Sequence, residues 1–261
     1  MLTFAHAGGD LLREVLSGCR QLACTSGTGV IPICHAALST WRTVEARDGA
    51  PSALAVRSVR ALVGTMITVI QATSGASRWC ETAFAAPEAV SSFLQVFPAA
   101  QFVCLYRGLP GVLGEGLWAY PYGLGGSPFW SYASPHPGNS VATITAYWTA
   151  CTERLLDFES AHAQRCLRVR HEDLAADTER VAGKVLEFLG VDPGELVALS
   201  ATQSAPGVSL VADPADYLEH VPGPLRARAD RLTGRLGYPE LSAVGGPAQL
   251  LDRYDLSHHR S

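Results

Sequence analysis

The side chains best suited to chemistry fall in a few short stretches. His6-Ala7-Gly8-Gly9-Asp10 stands directly before Leu11-Leu12-Arg13, so a histidine, two glycines and an acid precede an apolar periodic run. A glycine turn that opens a helix aims backbone N–H groups and the positive end of the helix dipole at an anion. The spacing is neither that of a Walker A loop nor that of G-x-G-x-x-G. Asp10 also stands where a helix N-cap belongs, and its carboxylate would accept from the same N–H groups that a phosphate needs. An ordinary strand–helix turn with an aspartate cap is therefore the competing reading. Glu81, beside Trp79, has the character of a base raised in pKa by burial, or of a partner for Arg78 or another arginine. His35 follows an apolar run and is either a general base or a hydrogen-bonded structural histidine. His171-Glu172-Asp173 combines acid and base types but reads as capping and bracing groups.

The elements that must hold these residues alternate between strand and helix. Met1-Leu2-Thr3-Phe4 reads as a short strand, an edge of what a fuller N-terminus would supply, and the helix after Asp10 ends near Gly18. Residues 19–50 read as strand and loop, with Val30-Ile31-Pro32-Ile33-Cys34 the best apolar run. Helical spacing returns from Ala53 to Ala72 and from Pro87 to Phe97, where proline opens the first turn. Phe102-Val103-Cys104-Leu105-Tyr106 is a continuous apolar run that reads as a buried parallel strand ending on Arg107. An aromatic stretch from Trp118 to Tyr132, rich in glycine and proline, is either a substrate-facing loop or a packed surface loop. A helix over Thr143–Ala163, a strand over Cys166–Arg170 and a helix over Glu179–Leu189 closed by Gly190 complete the pattern. Such alternation predicts a mainly parallel sheet flanked by helices.

Composition bounds the rest. The 261 residues, 48% hydrophobic and 17% charged, suit one packed α/β domain over residues 1–238 with a tail over 239–261. A net charge of −4 gives no pull toward nucleic acid. The apolar run around Ala61–Ala72 is interrupted by Gly64, Thr65 and Thr68 and reads as too short to cross a bilayer, and no signal-peptide layout opens the chain. No membrane partner and a cytoplasmic location are the expectations. The seven cysteines form no C-x-x-C pair and read as reduced thiols, and no cluster has zinc-ligand spacing. Lysine occurs once, at Lys184, so any cation placed near a phosphate or sulfate elsewhere must be arginine or histidine.

Two segments resemble the sulfotransferases that use 3′-phosphoadenosine-5′-phosphosulfate (PAPS). Phe97-Pro98-Ala99-Ala100-Gln101-Phe102, running through the strand to Arg107, is similar to the family segment that ends on the arginine gripping the donor's 3′-phosphate. Val169-Arg170-His171-Glu172-Asp173-Leu174, with Asp177 and Phe188-Leu189-Gly190, resembles the family's R-Y-E-D-L…D…F-L-G stretch. The family's 5′-phosphosulfate loop, a Lys or Arg followed by Ser-Gly-Thr/Ser-Thr/Ser, matches His6, Ala7, Gly8, Gly9 and Asp10. The donor-binding positions depart from this pattern, beginning with His6 in place of the Lys or Arg. Asp10 sets an acid at the loop, Glu115 stands where a serine makes the second 3′-phosphate contact, and Trp79-Cys80-Glu81-Thr82 lacks the lysine of W-x-E-K.

The resemblance implies a P-loop-like, three-layer fold and transfer of a sulfuryl group from PAPS to the hydroxyl of a small-molecule acceptor. Gly8, Gly9, Asp10, Leu11, Arg107 and Glu115 then line the donor site, with His6 at the leaving oxygen and Glu81 or His35 as the base. Arg107 either binds phosphate or pairs with Glu115. The arginines 226, 228, 231 and 235 match the family's late basic segment or form a solvated helix face. No metal is needed. A homodimer is among the assemblies the sequence admits, and Arg-rich, Lys-poor usage points to a high-GC bacterial source and a tailoring role in natural-product biosynthesis. Two other readings remain open: a degenerate fold that has lost PAPS and performs other chemistry, and a non-catalytic partner subunit.

Overall fold

Burial is most complete in the strand Phe102–Tyr106, where all five residues are buried, and partial in the other strands. The computed structural model describes residues 1–45, 50–84, 87–195, 217–239 and 241, so most of the expected tail, with His258 and His259, lies outside the described residues. Strand β1 (Leu22–Ser26) pairs in parallel with β2 (Arg78–Thr82), and β3 (Phe102–Tyr106) pairs in parallel with β4 (Cys166–Arg170). The two pairs are joined by residues 1–3. Leu2 bridges Ala83 on one side and Cys104 on the other, both in parallel. Leu2 N–H donates to Val103 O at 2.8 Å, Leu105 N–H to Leu2 O at 2.9 Å, and Ala83 N–H to Met1 O at 2.9 Å. The short N-terminal strand is thus the middle of the sheet, in the order β1, β2, residues 1–3, β3, β4.

Side chains of β3 alternate between two cores. Phe102, Cys104 and Tyr106 join a cluster with Val30, Leu38, Val59, Phe93, Leu113, Trp148 and Leu232. Val103 and Leu105 face Leu12, Leu16, Leu174, Val181, Val185 and Leu186. Helices α1 (Gly9–Ser17), α7 (His171–Ala176) and α8 (Thr178–Leu189) therefore cover one face. The other face carries α2 (Val30–Val44), α3 (Ala53–Ser74), α4 (Pro87–Val96), α5 (Leu109–Ala119), α6 (Ser140–Ala161) and α9 (Gly223–Arg235). This is the three-layer arrangement that the alternating pattern predicted.

Two readings need correction. Val30–Cys34 is the opening of α2, not a strand: Gly29 turns the chain at φ 77°, and Pro32 falls in the first turn, where its missing N–H costs nothing. A short apolar run fits either element, and the glycine decides. The helix containing Ala61–Ala72 also extends much further than the apolar run alone. α3 spans 22 residues and holds an 18-residue stretch with a mean hydropathy of 1.6, long and apolar enough by length and composition to cross a membrane, and 17% of that stretch is buried. Leu54, Leu62 and Val69 on it are more than half exposed. All seven cysteines are free thiols.

Candidate active site

The strands deliver three groups to one end of the sheet. Past residue 3 the chain turns through Phe4–Gly8 into α1. Gly8 is the N-cap, with φ 87°, and no side chain caps the helix. Asp10 is therefore not the cap expected of it. Its side chain is 87% exposed and reaches Arg13 at 3.3 Å, leaving the first-turn N–H groups of α1 clear. The left-handed turn at Gly8 moves the cap two residues upstream, which puts Asp10 on the outer face of the first turn. A Cβ on Gly8 would stand 2.1 Å from His171 Nδ1, and one on Gly9 would stand 2.9 Å from Thr3 Cγ2. Both glycines are required by close approach.

His6 lies in the same turn with φ 62°, a left-handed conformation that histidine tolerates better than most residues. Its ring stacks on Phe129 at 5.4 Å between centroids and meets the edge of Tyr120 at 6.1 Å. Nδ1 lies 3.1 Å from Glu115 Oε1. Arg107, at the end of β3, donates from one nitrogen to the His6 carbonyl at 2.8 Å and to the other Glu115 oxygen. Burial alone would raise the Glu115 carboxyl. The hydrogen bond from His6 and the charge and hydrogen bond of Arg107 outweigh it and hold the pKa at about 2. Glu115 is a carboxylate shared by two bases.

Residues without an obvious sequence signal hold this trio in place. On α6, Tyr147 accepts from Ala5 N–H at 2.8 Å through its hydroxyl, and Trp148 Nε1–H donates to Arg107 O at 2.9 Å. Adjacent side chains of one buried helix thus pin both the loop and the strand end. Glu172 accepts from Gly108 N–H at 2.9 Å and from Tyr238 O–H at 2.6 Å, tying β3's exit to the segment after α9. His171 Nδ1 is buried over Gly8 without a partner, and burial together with the Arg107 charge pushes its pKa down to about 4. Phe129 and Tyr120 give the aromatic stretch a packed, site-facing part, while Trp118, Tyr122 and Trp130 stand exposed.

Glu81 and His35 are engaged with other partners. Glu81 is buried, with Oε2 accepting from Thr25 O–H at 2.5 Å and Oε1 from Thr28 N–H at 2.9 Å. It clamps the loop between β1 and α2. His35 pairs with Ser92 Oγ at 3.0 Å, on the face where α2 meets α4. Arg228 is engaged with Glu153 of α6 through two hydrogen bonds, one of 2.6 Å. A cavity of about 670 Å³ opens at the other end of the sheet, where Leu22, Arg78 and Phe102 begin their strands, with Arg60, Trp79 and Phe97 around it. Among the described residues no group of His, Cys, Asp and Glu could hold a metal ion.

An uncapped helix N-terminus and an arginine meet at the carboxyl ends of a parallel sheet, an α/β arrangement whose geometry suits an anion. The chain belongs to the sulfotransferase family, whose sequence profile matches residues 4–193. Its fold is similar to the sulfotransferase domain from the curacin biosynthetic pathway, at 18% identity and a TM-score of 0.58, covering 92% of this chain and 96% of that one. It is also similar to the sulfotransferase domain from the Synechococcus PCC 7002 olefin synthase, at 17% identity and a TM-score of 0.55, covering 91% and 93%. No curated protein matches the sequence.

Proposed function

We propose that this chain transfers a sulfuryl group from PAPS to the hydroxyl of a small-molecule acceptor in a biosynthetic pathway. The observation that carries the reading is the uncapped N-terminus of α1, which opens at Gly8 beside Arg107. The first-turn N–H groups of Gly9, Asp10 and Leu11 would receive the donor's 5′-phosphosulfate, and Arg107 its 3′-phosphate. The exposed position of Asp10 removes the like-charge conflict that its place in the sequence suggests. PAPS, when bound, supplies an activated sulfuryl group. The residues contribute anion binding, orientation and the handling of one proton. The aromatic stretch around Phe129 would form the acceptor side.

The Arg107–Glu115 pair favours a second reading, in which the fold no longer accepts PAPS and acts on another substrate. Calorimetric titration with PAP, the desulfated nucleotide, at low salt separates the two. Micromolar binding that is lost in Arg107→Ala supports the PAPS reading. Neither heat nor a thermal shift at millimolar PAP overturns it and turns attention to nucleotide-independent activity.

A further inference from the structure

We propose that His6 and Glu115 form the catalytic base dyad of this enzyme, with Glu115 fixing the imidazole so that His6 Nε2 takes the acceptor's proton. The inference rests on the sulfuryl-transfer reading above. It assigns the base to a position where the family resemblance led us to expect a cation at the leaving oxygen.

Four observations lead to it. An ionised carboxylate only accepts, so the 3.1 Å contact with Glu115 makes His6 Nδ1 the donor and leaves Nε2 as the ring nitrogen with a free lone pair. Arg107 contacts the other Glu115 oxygen and keeps the carboxylate from being the proton acceptor itself. With Arg107 already balancing Glu115, a neutral imidazole leaves the trio without excess charge. The residue is also held from several sides: its carbonyl by Arg107, and its ring by stacking on Phe129 and a perpendicular contact with Tyr120. Backbone strain at a non-glycine φ of 62° is maintained by these contacts, as at other preorganised sites. Glu81 and His35, the other candidates for the base, are engaged in the β1–α2 loop clamp and the α2–α4 contact.

The step balances. The acceptor O–H bond breaks as its proton passes to His6 Nε2, and the acceptor oxygen forms the new S–O bond. The S–O bond to the nucleotide's 5′-phosphate breaks, with its electron pair remaining on that phosphate. The imidazolium formed is stabilised by Glu115 through Nδ1–H.

The test reads the tautomer first and turnover second. The full chain is labelled with ¹⁵N-histidine and observed by long-range ¹H–¹⁵N correlation at pH 7.5. The His6 ring is assigned by its loss in His6→Asn, a residue that accepts the left-handed turn. A neutral ring protonated at Nδ1 is the expected result. In Glu115→Gln the amide can donate to Nδ1, and the tautomer should shift to Nε2–H. A doubly protonated ring in the wild-type chain, or a neutral ring already protonated at Nε2, overturns the proposal whether or not PAP binds. With PAPS and an accepted hydroxyl substrate, Glu115→Gln should reduce kcat by about 100-fold or more while PAP binds at least as tightly, because a negative charge has left the donor site. Unchanged kcat in that variant also overturns it. Absence of PAP binding in the wild type counts against the PAPS reading, not against the dyad.

Discussion

At the scale of single residues, the site depends on how little space the Gly8 turn leaves. Gly8 sits at φ 87° under the ring of His171, 2.1 Å from where a Cβ would place itself. Gly8→Ala therefore combines about 1–2 kcal/mol of left-handed strain with a clash against a buried ring. Thermal unfolding should show a clear loss of stability, and a Tm equal to wild type would mean that His171 does not cover the turn. The Arg107–Glu115 alternative could be read in the sequence, because both side chains are long and stand two turns apart past a strand end. The cover over Gly8 could not, since His171 comes from β4's exit and nothing local ties it to residue 8. Asp10 misled for a related reason. Its residue type fits a cap, but the left-handed glycine upstream moves the cap out of its reach.

At the scale of elements, connections matter more than propensities. Strand β3 declared itself through five consecutive apolar residues, all of them buried, and α3, α4 and α8 through periodicity with proline or glycine at their ends. The opening of α2 did not, because Val30–Cys34 suits a strand as well as a helix. The Glu81 clamp was equally hidden: Thr25 and Thr28 lie 56 and 53 residues away in sequence. Glu81→Ala leaves Thr28 N–H without its acceptor and the Thr25 hydroxyl with only the 3.3 Å contact to Cys80 O, which should cost about 1–3 kcal/mol. Urea unfolding should register that loss. If Glu81 were instead the base, turnover would collapse while the denaturation midpoint stayed put.

At the scale of the whole molecule, two titrations at the site contribute to the response to acid. His171 is held at about 4 against an ordinary value of 6.5, so the unfolded chain binds its proton more readily, and this contribution to stability is present above pH 6.5 and lost as pH falls toward 4. Burial and Arg107 cause the shift, while Glu172 and Glu115 oppose it. Glu115 is held at about 2 against 4.5, so its contribution is present above pH 4.5 and lost between there and 2. Unfolding free energies measured across pH 2–7 should fall in these two overlapping windows. His171→Gln should flatten the upper one and Glu115→Gln the lower. A slope unchanged in both variants would place the acid sensitivity elsewhere.

The position of residues 1–3 at the middle of the sheet also has a consequence in time. The Met1 nitrogen reaches the Glu81 carbonyl across 80 residues, and Ala5 reaches the Tyr147 hydroxyl across 142. At the pace of protein synthesis those partners follow on the order of ten seconds later. Until then the central strand has both edges unpaired, and the loop after it lacks the helix that pins it. Closing contacts of such long sequence separation is slow compared with forming the helices around them. The anion-binding turn should therefore be among the last features to form, and a nascent chain arrested before α6 should carry folded helices and no donor site.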